Sequence, residues 1–483
     1  MNTPIYDFVS EYISRRSSRL HMPGHKGHGP LLIEQRDITE IPGADVLSEA
    51  QGIIGESQQN AARLFGSGLT LYSTEGSSLS IRAMLFLALQ RQALRGASCV
   101  SRSAERPLIL AARNVHKSFL YACAMLDCEV AWIYPESLKD NDTAGPASIC
   151  SCHPAPAQIA DALRKLPRQP AAVYLTSPDY LGAVADIRGI TDAVNAICGE
   201  DSIPVLVDNA HGAYLHFLDT PQHPLDLGAY MCCDSAHKTL PVLTGGAYLH
   251  LSRRAAEELG AGARQAMALF GSTSPSYLIL QSLDLCNACL ADHFKKRLAE
   301  CVRRVNGLKS YLTMLGIPVL PSEPLKLVIA TRPGNGPALA ELFRQHRIEP
   351  EFADISCLVC MFTPENATLD YQRIAELFRS STALWNAEHE AKEGHAVREA
   401  DSVLLPQLLP LQQALSIREA VLAPQELIDV RHSSGRICAQ PTVSCPPAIP
   451  IAVSGEVITD AQIPVFLSYG IEEIAVVRGA PRQ

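Results

Sequence analysis

The chain has 483 residues, of which 47% are hydrophobic and 19% are charged, a balance typical of a globular protein with two or three domains. The formal net charge of −9 and the lack of a Lys/Arg block argue against a surface that binds nucleic acid. The polar N-terminal stretch has no signal-peptide core, and no run of about 18 apolar residues indicates a membrane span.

The N-terminal segment combines a short helix with two loops. Apolar residues recur at helical spacing over residues 4–16. The stretch Leu20-His21-Met22-Pro23-Gly24-His25-Lys26-Gly27 is expected to be a loop, because proline and glycine interrupt any regular pattern. A second, acidic loop runs from Asp37 to Asp45, and a helical pattern then continues through Phe65.

A strand predicted at Leu69 to Ser73 leads into the turn Thr74-Glu75-Gly76-Ser77-Ser78 and then into an apolar helix from Leu79 to Leu94. Small hydroxyl residues that begin a helix after a glycine can bind phosphate, because the free N–H groups and the helix dipole point at the anion. An ordinary serine cap would explain the same residues. The lysine and aspartate farther along the chain favour phosphate binding.

Strands and helices alternate in the following part of the chain. Strands are predicted at Leu108 to Ala111, Ala131 to Tyr134, Ala171 to Thr176, Val205 to Asp208 and Leu227 to Cys233, with helices at Ala157 to Leu166 and Ile187 to Cys198. This alternation predicts an α/β fold with a mostly parallel sheet and helices on both faces. Ligands bind beyond the C-terminal ends of such strands. Gly76, His116, Asp208 and Lys238 follow strand ends, so we expect them to converge.

Two charged residues at neighbouring strand ends indicate the chemistry. Asp208 ends one strand, and Lys238 follows the next strand within Ser235-Ala236-His237-Lys238. A carboxylate can keep the pyridine nitrogen of pyridoxal phosphate protonated, and a lysine amine can attach that cofactor covalently. A single loop lysine is usually a solvated charge, but the two motifs in this order predict a pyridoxal phosphate site.

The second half of the chain suggests further domains. A long helical pattern from Leu278 to Leu315 precedes shorter strands and helices over residues 317–384, a charged helix or linker from Ala387 to Arg398, and a last strand at Glu473 to Val477. We predict an N-terminal segment at 1–45, a cofactor-binding large domain at 46–290, a small α/β domain at 291–386 and a C-terminal α+β domain at 387–483.

The 15 cysteines are odd in number and lack the spacing of a disulfide scaffold. Two CxxC pairs, Cys286 with Cys289 and Cys357 with Cys360, would have to converge from separate elements to bind zinc. The first pair lies in a helical pattern and the second in an apolar, strand-like run. We therefore expect buried free thiols, as in a reducing cytoplasm, and no metal site.

Together these motifs resemble the ornithine/lysine/arginine decarboxylase family of pyridoxal phosphate enzymes of fold type I. The resemblance covers nearly the whole chain and includes His21 to Gly27, Asp37 to Asp45, Thr74 to Ser78, His116-Lys117-Ser118, Asp208 to Gly212, Ser235 to Pro241, Ser272 to Tyr277 and Pro446 to Glu456. It implies decarboxylation of arginine, lysine or ornithine to the amine and CO2, a reaction related to polyamine synthesis. It also implies a homodimer or a larger assembly.

The resemblance implies roles around the cofactor ring. Lys238 would bind the cofactor covalently, and Asp208 would pair with its pyridine nitrogen. His116 would stack on the face of the ring. His211 would lie near the ring edge and the reacting carboxylate.

A second group of residues would hold the cofactor phosphate. By the same resemblance, this group comprises Gly76, Ser77, Ser78, Ser235 and His237. Thr273 would reach the phosphate of a neighbouring subunit, because the sites of this fold form at a dimer interface.

The cationic side chain of a basic amino acid substrate needs a carboxylate to bind it. The loops offer three candidates, Glu40, Asp45 and Glu456. The chain resembles the short members of the family without a receiver-like domain, which favours a biosynthetic role and arginine ahead of lysine and ornithine. Departures from the family pattern leave this order open, and they lie at Asp179, Leu285-Cys286-Asn287, Ala448 and Ser454.

Two alternative functions remain open from the sequence. Another reaction of the same cofactor, such as transamination or side-chain lysis, would suit the same fold, and Arg332 could then bind the substrate carboxylate. A non-catalytic paralogue could act as a binding or regulatory subunit. Such a paralogue is expected to have lost Lys238 or Asp208, and this chain retains both.

Overall fold

The computed structural model describes residues 1–95, 105–135, 151–199, 203–331, 334–390, 410–441 and 449–479, with only the backbone described over 381–390. The helices are α1 (Pro4–Ser14), α2 (Ile53–Phe65), α3 (Ser77–Arg95), α4 (Lys117–Leu126), α5 (Pro156–Lys165), α6 (Ile187–Cys198), α7 (Ala236–Thr239), α8 (Arg253–Phe270), α9 (Tyr277–Ala291), α10 (Phe294–Met314), α11 (Gly336–Gln345), α12 (Thr368–Glu390), α13 (Ile417–Leu422) and α14 (Gln462–Ser468). Within these ranges, none of the helices is long and apolar enough to cross a bilayer.

A seven-stranded sheet forms the centre of the molecule. Its strands are β1 (Leu69–Ser73), β2 (Leu108–Ala112), β3 (Glu129–Ile133), β4 (Ala172–Thr176), β5 (Val205–Asp208), β6 (Met231–Asp234) and β7 (Ala247–Leu251). They lie in the order β1-β7-β6-β5-β4-β2-β3, and β7 runs antiparallel to both of its neighbours. The other strands share one direction, which confirms the predicted mostly parallel sheet.

The two faces of this sheet pack against different helices. Along β4, Ala172 and Tyr174 join a core with α3, α4 and α8, whereas Val173 and Leu175 join a core with α5 and α6. This alternation follows from the two-residue period of a strand, and the apolar composition of the strands reflects burial on both faces. Helices therefore cover both faces, as the sequence predicts.

A smaller antiparallel sheet follows α10. It consists of β8 (Val319–Leu320), β9 (Lys326–Ala330), β10 (Phe352–Ala353) and β11 (Cys357–Met361), in the order β10-β11-β9-β8. Val328 and Val359 point toward the core that contains Val173 of the large sheet. The small sheet is thus joined to the large one by shared apolar packing, and the division into domains at residues 290 and 386 stays a prediction.

The C-terminal part packs against the large sheet as well. It contains the antiparallel pair β12 (Gln425–Asp429) and β13 (Glu473–Val477), so the predicted last strand is confirmed. Ile451 and Val476 belong to the same apolar core as Val173. The predicted linker at Ala387 to Arg398 lies mostly outside the described residues, as do Arg332 and Ala448.

Three details differ from the sequence prediction. The helix predicted from Leu278 to Leu315 is divided into α9 and α10, because Asp292 leaves helical backbone angles. The strand predicted from Leu227 begins only at Met231, after a 3-10 turn at Pro224–Leu227. Strand β7 and helix α8 lie in a stretch for which the sequence suggested no element.

Candidate active site

The predicted site residues gather at one edge of the large sheet. Asp208 is the last residue of β5 and lies opposite Thr176, the last residue of β4. Lys238 lies in α7, directly after β6, and His116 caps the N-terminus of α4, after β2. Since these strands run in the same direction, their C-terminal ends lie side by side, and the predicted convergence is present in the fold.

The Asp208 carboxylate is buried, with 2% of its surface exposed. It accepts hydrogen bonds from the Tyr174 hydroxyl at 3.4 Å, the Ala210 amide at 3.2 Å and the Cys233 thiol at 3.7 Å. Burial raises its pKa, and the charge of Lys238 opposes that rise. These contacts come from neutral groups, so the carboxylate retains the capacity to pair with a cationic N–H donor.

The amine of Lys238 lies 3.1 Å from Nε2 of His211. Burial lowers the pKa of Lys238, with Asp208 acting in the opposite direction. Burial and the Lys238 charge together hold the pKa of His211 well below its usual range. A neutral imidazole can accept from the lysine ammonium, so this contact orients the amine.

Serine side chains line the start of α3. The Ser235 hydroxyl donates to Ser77 at 2.8 Å, and the Ser118 hydroxyl donates to Ser78 at 2.8 Å. Gly76 has a φ of +69°, a conformation that favours glycine and turns the chain into the helix. The free N–H groups at the start of α3 and these hydroxyls lie where the sequence predicts a phosphate site, and they are groups that can bind an anion.

Two histidines flank this edge in different ways. Nδ1 of His116 accepts from the Ser118 amide at 3.1 Å, which leaves its Nε2 protonated. Burial, followed by the charge of Lys238, lowers the pKa of His116 to about 4. His237 contacts the Gly246 carbonyl through Nδ1 at 3.0 Å, so His237 is tied to the glycine turn before β7.

Thr273 lies in a neighbouring cavity. This cavity has a volume of about 330 Å³, and its lining includes Glu40, Thr74 and Arg264. The loop is held beside the phosphate turn by the Ser272 amide, which donates to Glu75 at 2.6 Å. Thr273 is exposed, and within the described ranges it makes no hydrogen bond to the serines at the start of α3. This arrangement leaves Thr273 free to contact another subunit.

Two of the carboxylates proposed for the substrate tail already have partners. Asp45 accepts hydrogen bonds from the backbone amides of Val46, Gln51, Gly52, Ile54 and Gly55. Glu456 forms a bidentate pair with Arg113, at 2.6 and 2.7 Å, in which both side chains are 1% exposed. Glu40 is exposed. The structure therefore gives Asp45 and Glu456 structural contacts and leaves Glu40 accessible.

A buried network lies behind the loop that follows β5. The Asp234 carboxylate lies 3.0 Å from Nε2 of His223 and 3.3 Å from Nε2 of His250. It also accepts a hydrogen bond from the side-chain amide of Asn209 at 2.8 Å. Although burial opposes it, the two histidines hold the pKa of Asp234 well below its usual range. This network holds Asn209, the residue next to Asp208, in place. The sequence pattern did not predict the network.

The CxxC pairs do not form a common site. Cys286 and Cys289 lie on α9, whereas Cys357 and Cys360 lie on β11, where their side chains enter different apolar cores. All cysteines in the described ranges are free thiols. Free thiols, as expected from the sequence, are therefore confirmed for this part of the chain, and all of them are buried except Cys198 and Cys289, which are partly exposed.

The residues at this edge fit pyridoxal phosphate in chemical type. They offer a buried carboxylate with neutral partners for the pyridine N–H, an amine for the aldehyde and a helix N-terminus for the phosphate. Three further polar groups there lack hydrogen bonds within the described residues, namely the Asn114 amide, the Thr176 hydroxyl and Nδ1 of His211. Unpaired buried polar groups are costly, which is consistent with a ligand that contacts them.

Known proteins resemble this chain in sequence and in architecture. The family model described as Orn/Lys/Arg decarboxylase, major domain, matches residues 3–316. An arginine decarboxylase of Bacillus subtilis (strain 168) is 29% identical over 489 residues, which cover 95% of this chain and 92% of that protein. The constitutive lysine decarboxylase of E. coli has a TM-score of 0.74 at 16% identity, over 99% of this chain and 82% of that chain.

A more distant structure supports the same fold. A structure described as SPT with PLP has a TM-score of 0.52 at 12% identity, over 69% of this chain and 77% of that chain. The fold is thus that of the fold type I enzymes, as the resemblance implies. The chain therefore belongs to the Orn/Lys/Arg decarboxylase family and is a pyridoxal-phosphate-dependent decarboxylase of basic amino acids.

Proposed function

We propose that this enzyme decarboxylates arginine in preference to lysine and ornithine, with Lys238 and Asp208 as its central catalytic residues. The observation that supports these roles is that a buried carboxylate at the end of β5 and a lysine in α7, directly after the neighbouring strand β6, converge at one edge of the sheet, where the lysine amine lies 3.1 Å from His211. The curated arginine decarboxylases among its relatives support the choice of arginine.

Pyridoxal phosphate supplies the electron sink that accepts the bonding pair when CO2 leaves. In our proposal Asp208 holds a proton on the pyridine nitrogen, since the buried carboxylate favours a cationic partner. Lys238 would hold the cofactor through its amine and would return a proton to Cα of the product. His211 would orient the Lys238 amine, and His116 would stack on the face of the ring.

The phosphate in this proposal lies at the N-terminus of α3. Its contacts would come from the residues at the start of that helix and from the loop after β6, namely Gly76, Ser77, Ser78, Ser235 and His237. Ser118, which donates to Ser78 at 2.8 Å, is added to this group from the structure.

We also propose a cytoplasmic location, which the free thiols support.

The substrate preference is tested by steady-state rates with arginine, lysine, ornithine, norleucine and glutamate at neutral pH. A neutral tail would leave the recognising carboxylate unpaired, at a cost of about 2–5 kcal/mol. We therefore expect kcat/KM for norleucine to be about 30-fold to several thousand-fold below that of the best cationic substrate. Equal rates for norleucine or glutamate would contradict recognition of a cationic tail.

We further propose a dimer in which Thr273 completes the partner's site. Exposed apolar side chains near the N-terminus support a covered surface there, namely Leu20, Met22, Leu31 and Leu32. Mixing inactive Lys238→Ala subunits with Thr273→Ala subunits should restore activity, because one site of each mixed dimer is then intact. Mixing Lys238→Ala with Asp208→Asn should restore none, since both residues belong to the same site. Full activity of a monomer would contradict the proposal.

A further inference from the structure

Lys326 is a wholly buried lysine that the proposed mechanism does not use. It is the first residue of β9, and its side chain is 0% exposed. Its amine crosses from the small sheet to the loop after β4, where it donates to the Asp179 carbonyl at 3.0 Å. Burying an ammonium is expensive, so its presence calls for a compensating interaction. Burial lowers the pKa of Lys326, and the carboxylates of Glu323, Asp179 and Glu351 oppose that shift only in part.

The Lys326 amine also lies against the ring of Tyr180, 5.5 Å from its centroid. The Tyr180 ring stands edge-on to His211, with centroids 5.2 Å apart, and the Tyr180 hydroxyl donates to Glu351 at 2.7 Å. Tyr180 is therefore held by the small sheet on one side and contacts the active-site histidine on the other.

His211 depends on this packing for its orientation. Its Nε2 contacts Lys238 at 3.1 Å, and its Nδ1 has no hydrogen bond within the described residues. One hydrogen bond does not by itself set the tilt of the imidazole ring, and the perpendicular Tyr180 ring restricts that tilt. Contacts thus run from Lys326 through Tyr180 and His211 to Lys238.

We infer that Lys326 is a positioning residue for the decarboxylation, acting through Tyr180 on the pair formed by His211 and Lys238. The inference rests on the proposed role of Lys238. Without the Lys326 side chain, Tyr180 would lose one of the groups that hold its ring, and His211 would be held less firmly at one angle to the lysine amine. Lys326 would therefore affect the reaction without contacting the substrate.

Lys309 offers a matched control. This lysine is half-buried and holds the loop between β8 and β9, donating to the Ser322 hydroxyl at 3.0 Å and to the Glu323 carbonyl at 3.3 Å. Within the described residues, the hydrogen bonds of the Lys309 amine go to this loop and not to Tyr180 or His211. Lys309→Met therefore removes a lysine from the same part of the fold without disturbing the contacts to the active site.

The test compares Lys326→Met, Lys326→Arg and Lys309→Met as cofactor-loaded enzymes. We expect Lys326→Met to lower kcat by about 100-fold with little change in KM, the loss that follows from a misplaced catalytic group. Lys326→Arg should recover part of this loss, and Lys309→Met should stay within about threefold of the parent, as expected for a change remote from the reacting groups. Equal effects of the two methionine variants would overturn the inference.

A second arm asks whether Lys326 acts through Tyr180. Tyr180→Phe keeps the ring and should retain most of kcat, whereas Tyr180→Leu should match Lys326→Met. The double variant of Lys326→Met and Tyr180→Leu should be no slower than either single variant, because both break the same chain of contacts. Independent, multiplying losses would overturn the inference. If Lys326→Met does not fold, Lys326→Arg takes its place, and its smaller loss should likewise not multiply with that of Tyr180→Leu.

A spectroscopic readout separates this inference from the proposed function. The visible circular dichroism of the bound cofactor reports the asymmetry around it and needs no turnover. It should change in Lys326→Met and Tyr180→Leu and stay unchanged in Lys309→Met. If the parent enzyme releases no CO2 from basic amino acids, the proposed substrate fails while this comparison remains decisive. An unchanged signal in all the variants would overturn the inference.

Discussion

Asp208→Asn is expected to lower kcat by on the order of 10³-fold, the loss seen when a preorganised electrostatic partner is removed from a catalytic site. Asparagine keeps the shape of the side chain but removes the charge that holds a proton on the pyridine nitrogen. The contacts from Tyr174, Ala210 and Cys233 are all from neutral donors, so none of these groups replaces that charge. The phosphate site and Lys238 are untouched, so cofactor content should fall much less than kcat.

The measurement pairs turnover with a direct assay of loading. Borohydride reduction followed by peptide mapping should label Lys238 in the parent and in Asp208→Asn to a similar extent. Tyr174→Phe is the matched control, because it removes a neutral donor 3.4 Å from the same carboxylate and should cost about tenfold or less. A fully loaded Asp208→Asn enzyme with parental kcat would refute the role of Asp208. A label on another lysine would refute that of Lys238.

Glu456→Gln is expected to lower the free energy of unfolding by about 3–5 kcal/mol, because it leaves a buried guanidinium without its counter-charge. Both members of the pair are 1% exposed. Arg113 is also enclosed by aromatic rings, with its guanidinium carbon 4.8 Å from the Trp132 centroid and 5.3 Å from the Tyr134 centroid. Denaturant unfolding of the variant and the parent measures the loss.

An exposed pair provides the control for this loss. Arg297 and Glu365 are 40% and 49% exposed, so Glu365→Gln should cost less than about 1 kcal/mol. Replacing both buried partners together, as in Arg113→Met with Glu456→Leu, should recover part of the stability, because no charge is then left unpaired. If Glu456→Gln keeps parental stability but raises KM only for cationic substrates, Glu456 recognises the tail and its structural role is wrong.

The sequence predicted those parts of the site that depend on local pattern. Asp208, Lys238 and His116 follow strand ends, and strands of one direction bring such ends together regardless of the details of packing. The turn at Gly76 also follows from local chemistry, because a glycine followed by small hydroxyl residues is typical of a helix start, whether the hydroxyls cap the helix or bind an anion. The order of the elements was therefore enough to predict the fold and the convergence of these residues at one edge of the sheet.

Long-range contacts were beyond such reasoning. Arg113 and Glu456 are 343 positions apart, and the sequence around either residue does not indicate that the two form a pair. The same holds for Lys326, which lies in an apolar strand and reaches Asp179, 147 positions away. Glu456 was a reasonable substrate carboxylate from the sequence, because composition cannot distinguish a carboxylate that faces a ligand from one that faces an arginine.

The distance along the chain between Arg113 and Glu456 also has a consequence for synthesis on the ribosome. Arg113 is synthesised early, and its partner Glu456 follows 343 residues later. At 5–20 residues per second, roughly 17–70 s pass between the two. During that interval the guanidinium lacks its counter-charge, and the apolar face that Ile451 and Val476 later cover is open. The nascent chain must therefore stay soluble with an incomplete core, which makes this face a natural surface for a chaperone to protect.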